Sequence, residues 1–135
     1  MEVNNFNQIP VYKKALDIFQ ISRGIAYALS EKRHVLEMEY STVESEKVAG
    51  TLVTTSLKLF PELAALQNAT SKENISKRAN KIRRSARLLL TKCRLIERQG
   101  VKEKEFLRIL RSELNQFDQL FGEWLNSKHS GKNYN

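Results

Sequence analysis

Between Ile75 and Ile96 the apolar residues Ile75, Ala79, Ile82, Ala86, Leu89, Cys93 and Ile96 recur at alternating steps of four and three residues. That spacing keeps them in one stripe along a 3.6-residue turn, the heptad seam of a helix packed against others. The pattern returns in Leu107, Leu110, Leu114, Phe117, Phe121 and Trp124. Earlier in the chain, Val11, Ala15, Ile18, Ser22, Ile25, Ala26 and Leu29 share one helical face, as do Val48, Leu52, Val53, Ser56, Leu59, Phe60, Leu63 and Ala64. Four such segments joined by short links predict an all-α fold, an antiparallel up-and-down four-helix bundle.

Caps and breakers place the helices at about 10–29, 42–66, 71–99 and 102–126, in one domain over residues 1–127, with a polar tail at 128–135 expected to be disordered. Pro10 suits a first helical position, where its missing N–H would have no partner anyway. Ser41 with Glu44, and Thr70 with Glu73, have the form of capping boxes. Pro61 lacks the donor a helix interior needs, so a kink or an end is expected near Phe60. Gly24 is expected to admit a close helix neighbour. Gly100 is expected at the left-handed position that ends the third helix.

Composition agrees with this reading, since only five Gly and two Pro interrupt 135 residues. A domain of that size buries roughly two-thirds of its unfolded surface, enough for a core. Cys93 is alone and forms no internal disulfide, and the residues after Met1 lack the basic-then-apolar pattern of a secretory signal. A cytoplasmic protein is expected. No apolar run approaches the ~18 residues of a membrane span.

Charge changes the picture more. Lys72, Lys77, Arg78, Lys81, Arg83, Arg84, Arg87, Lys92, Arg94 and Arg98 face only Glu73 and Glu97 within the third segment, while the rest of the chain balances at 13 basic and 13 acidic residues. The whole net charge of +8 therefore belongs to one helix. Arg83, Arg87, Arg94 and Arg98 form a stripe beside the apolar seam, and Lys77 and Arg84 lie opposite it, with Lys81 on the same basic surface. Lys104, Arg108 and Arg111 offer a supplement on the fourth helix. Arginine's planar donor fork matches phosphate geometry, so Lys77, Lys81, Arg83, Arg84, Arg87, Arg94 and Arg98 are the candidate nucleic-acid contacts, made to RNA or DNA through phosphates. A solvated basic face is the plain alternative, as is pairing with Glu31, Glu37, Glu39, Glu44 and Glu46 of a neighbouring subunit. The seam is committed to a core, which argues against a membrane-surface helix.

Signals for catalysis are missing. Cys93 sits at an inward heptad position, where a thiol packs as a small apolar group. His34 and His129 have no second histidine or cysteine at ligand spacing, and the paired glutamates Glu37/Glu39 and Glu44/Glu46 diverge on a helix. Neither a metal site nor a cofactor site is expected, and an enzyme is not the reading. Trp124 continues the Phe117 and Phe121 stripe and is expected in the core or at a subunit contact.

Val11-Tyr12-Lys13-Lys14-Ala15-Leu16-Asp17-Ile18-Phe19 resembles the opening helix of the four-helix-bundle proteins encoded in intervening sequences of bacterial large-subunit ribosomal RNA genes, and Arg94-Leu95-Ile96-Glu97-Arg98-Gln99-Gly100 is similar to the end of their third helix. Leu120-Phe121-Gly122-Glu123-Trp124-Leu125 resembles the accessory variability determinant proteins of diversity-generating retroelements. The chain looks like a divergent member, because Ser56 is followed by Leu57 and Lys58, and no glycine occurs from there to Gly100. The resemblance implies a homo-oligomeric ring, a pentamer, with basic surfaces toward nucleic acid or a nucleic-acid enzyme, and no catalytic residues. The second apolar stripes Tyr12, Leu16, Phe19 and Phe106, Ile109, Leu120 also favour an oligomer. A scaffold that docks an acidic protein partner, such as a reverse transcriptase complex, is the competing function.

Overall fold

A computed structural model describes residues 8–30 and 43–129. Four helices follow in order: α1 (Pro10–Ser30), α2 (Glu44–Asn68), α3 (Lys72–Arg98) and α4 (Lys104–His129). Each packs on two neighbours, α1 on α2 and α4, and α3 on α2 and α4, so the helices close a four-sided bundle in chain order. The expected all-α four-helix bundle is what the chain forms.

Every seam residue of α4 named above is buried, and so are Ile75, Ala79, Ile82, Leu89, Cys93 and Ile96 of α3, with Ala86 half-buried. Phe117 and Phe121 stack with centroids 6.0 Å apart, and Trp124 leans on Phe121 at 6.2 Å. Part of the second stripe on α1 is satisfied within the chain. Tyr12 and Phe19 meet Phe60 edge-on at 5.3 and 6.0 Å. Leu120 is half-buried against the core, which leaves Leu16, Phe106 and Ile109 exposed.

Several boundaries differ from the expectations. The α3 cap is Ser71, whose hydroxyl accepts from the Asn74 amide at 3.1 Å, and not Thr70; two adjacent hydroxyl residues offer two frames, and the smaller serine takes the cap. Ser41 lies outside the described residues, and α2 starts at Glu44 after Val43, which supplies no side-chain cap bond. The helix does not end at Pro61 but continues to Asn68. Pro61 is exposed, so the Leu57 carbonyl it leaves without a donor can be hydrated, while buried Leu59, Leu63 and Leu66 hold both flanks. α4 continues to His129, past the expected end at Asn126 and into the expected tail. Lys128 Nζ donates to the Gln67 carbonyl at 3.0 Å, tying the last turn to the end of α2.

The two glycines that drew attention divide. Gly100 has φ 72°, and its N–H donates to the Glu97 carbonyl at 3.3 Å, the closure of a helix that ends on a left-handed residue. Gly24 is exposed and a β-carbon there would touch nothing within 4 Å, so no described helix of this chain packs closely against it. The Gly24→Ala variant is therefore expected to raise stability by ~1 kcal/mol, measured as a shifted denaturation midpoint with unchanged slope.

Candidate nucleic-acid interface

The inward seam of α3 fixes which way its cations point. With Ile82, Leu89, Cys93 and Ile96 fully buried, Lys77, Lys81, Arg84, Arg87, Arg94 and Arg98 are left exposed. Arg83 is half-buried, its guanidinium 5.4 Å above the Phe121 ring. None of the seven makes an ion pair among the described residues. Arg87 turns Nε back to the Arg83 carbonyl, a long bond of 3.4 Å. Like charges repeat at helical neighbour spacing in Lys77/Lys81, Arg83/Arg87 and Arg94/Arg98. Each such pair weakens a helix by ~0.2–0.5 kcal/mol, a cost that an anionic partner removes.

The fourth-helix supplement is weaker than expected. Arg108 pairs with Glu105 at 3.4 Å and Arg111 with Glu97 at 2.9 Å, so both already have carboxylates. Lys104 is exposed. Of the acidic stretch, Glu31, Glu37 and Glu39 lie outside the described residues. Glu44 and Glu46 occupy the first turn of α2, where the helix dipole favours negative charge without any second subunit.

The seven residues do not form one sheet of charge; grooves on either side of α3 divide them. Arg83 and Arg87 line a cleft of about 270 Å³ against α4, together with Asp118. Lys81 and Arg84 line a larger groove, about 550 Å³, between α2 and α3, where they are joined by Arg78 and, from α2, Lys58. Lys77, Arg94 and Arg98 line neither. Arg78 was counted in the charge but not among the expected contacts, and Lys58 was missed.

Also missed was Glu62, at the same groove. It is buried on α2, and its Oε2 accepts from Ser85 Oγ at 3.2 Å. Removal from water pushes its carboxyl above the usual carboxylate range, against the Ser85 hydrogen bond and the nearby charges of Lys81, Lys58 and Arg84. A signal was present. Thr55, Leu59, Glu62 and Leu66 step by four, three and four, placing a carboxylate in an apolar register.

A proton bound more tightly in the folded chain than in the unfolded one fixes the sign of a pH effect. The contribution of Glu62 is fully present below the ordinary carboxyl value of 4.5 and is lost as pH rises through the raised folded value. Glu62→Gln, which cannot ionise, is expected to match the native chain near pH ~4 and to exceed it in stability near pH ~7. Thermal melts at the two pH values decide this, and a native chain that is the more stable one at neutral pH would contradict it.

Cys93 is the other buried ionisable group of note. Its Sγ donates to the Leu107 carbonyl at 3.3 Å, and burial, with Glu97 adding to it, pushes the thiol up to about 12. It is a packed thiol, not a thiolate. Among the described residues no group of three or more His, Cys, Asp or Glu could hold a metal ion, and no helix is long and apolar enough to cross a membrane. His34 lies outside the described residues.

No family model matches the chain, and no curated protein and no solved structure matches it.

Proposed function

We propose that this protein is a non-enzymatic, oligomeric four-helix bundle of the cytoplasm that binds nucleic acid through the phosphate backbone with the basic outer face of α3. The observation that carries this reading is the row of exposed cations on α3 with no carboxylate partner among the described residues. A helix that stacks like charges while its seam is locked in a core is built to meet an external anion. The oligomer has its own support, because Leu16, Phe106 and Ile109 stay exposed at 42%, 55% and 42%. The resemblance to the intervening-sequence proteins favours a ring of such bundles, a pentamer.

Titration of the full chain with RNA and DNA at about 50 and 200 mM salt tests the reading. Affinity is expected to fall steeply between the two, by on the order of ten-fold for each two phosphates neutralised. Absence of binding at the lower concentration would reject it in favour of a scaffold that docks an acidic protein. A solution mass measured by light scattering tests the oligomer separately.

A further inference from the structure

The cations around the α2–α3 groove suit an anion, but its floor does not. Glu62 is only 9% exposed, and while Oε2 is held by Ser85, Oε1 is closed off from solvent with no hydrogen-bond partner. A buried acceptor without a donor costs stability, more so when it carries charge. A phosphate alone would leave that acceptor unsatisfied and be repelled by it. The groove's natural occupant therefore brings N–H donors to the floor and negative charge to the rim.

The size and lining narrow the class. At about 550 Å³ the groove lies within the usual range for small-molecule sites, and Pro61, Ala65 and Leu88 give it apolar walls. A nucleotide combines a flat apolar face, base-edge donors and a phosphate. Among the common bases, guanine sets an imino N–H beside an amino N–H on one edge, matching the two oxygens of a carboxylate. That edge is occupied in a duplex and free in a single strand. Receiving both donors takes a turn about the broad terminal torsion of Glu62, which brings Oε1 out of its closed position and releases Oε2 from the Ser85 hydroxyl. We propose that the α2–α3 groove is a guanine site for single-stranded nucleic acid, in which Glu62 accepts from the Watson–Crick edge while Lys58, Arg78, Lys81 and Arg84 hold the flanking phosphates. This rests on the nucleic-acid reading above and adds base preference to it.

The test compares short oligouridines of equal length carrying one central guanosine, one central inosine, which lacks the amino group, or uridine alone, by fluorescence anisotropy with the full chain. The guanosine oligomer is expected to bind about ten-fold more tightly than the uridine one, with inosine several-fold weaker than guanosine. In Glu62→Gln the preference should shrink to within about two-fold while salt-dependent binding remains. Leu88→Trp, a change at an exposed position that fills the groove mouth, should do the same and guards against a Glu62 variant that fails to fold. Equal affinity for all three oligomers with salt dependence intact overturns the guanine site and leaves the phosphate reading standing. A guanine preference that persists in a folded Glu62→Gln, or in Leu88→Trp, overturns the assignment to this groove. Failure of all three to bind at low salt removes the nucleic-acid reading itself.

Discussion

Phe121→Ala is expected to destabilise the bundle by ~3–5 kcal/mol, a large share of the stability of a domain this size. The ring is 1% exposed, with Phe117 stacked beside it and Trp124 tilted against it. Truncation removes both aromatic contacts together with the transfer energy of the ring, and neighbours on rigid helices collapse only in part into the space. Arg83 loses the face its guanidinium sits over at 5.4 Å, so the effect reaches the basic surface as well as the core. Phe121→Leu keeps much of the volume without the π-face and should cost about 1–2 kcal/mol. Urea denaturation of both variants separates packing from cation–π contact. A loss below ~1 kcal/mol for the alanine variant would mean that the ring is not packed as described.

The core was readable in advance because it depends on one variable, the period of apolar residues, and the heptad steps of α3 and α4 admit no strand and no shorter helix. Pro61 does not end α2, although the rule for proline, which counts only the local penalty, allows an end there. That penalty is ~3 kcal/mol, and burying Leu59, Leu63 and Leu66 on a continuous helix outweighs it. Gly24 has no close neighbour among the described residues for a related reason: being near a seam in sequence is not being in contact, and the seam of α1 runs through Ser22, Ile25 and Ala26 instead. The side of α3 that carries charge was legible, since the seam determines its opposite face. The groove was not. Lys58 and Arg84 meet only through the lateral packing of α2 on α3, and no local pattern encodes which turn of one helix lies beside which turn of the next. Glu62 alone announced the place, as a carboxylate in an apolar register.

Arg84→Glu combined with Arg87→Glu is expected to weaken nucleic-acid binding on the order of 100-fold at low salt while leaving the fold intact. Each lost phosphate contact lowers the slope of log affinity against log salt by about 0.9, so the pair should lower it by about 2, and charge reversal adds repulsion at low salt. The fold is spared because both side chains are exposed and neither has a carboxylate partner among the described residues. The reversed charges would also fall at helical neighbour spacing from Lys81 and Arg83, replacing repulsion with attraction worth a few tenths of a kcal/mol for each pair, about 0.2–0.5. Binding and stability thus move independently, which a change acting through unfolding could not do. The control is Lys13→Glu with Lys47→Glu, an equal change in net charge at exposed positions on α1 and α2. If the control loses as much affinity as the α3 pair, attraction comes from net charge at large and the basic face of α3 has no special part in it. If the control retains most of its affinity and the α3 pair does not, the phosphates lie along α3, on the side of the helix that the buried seam turns outward.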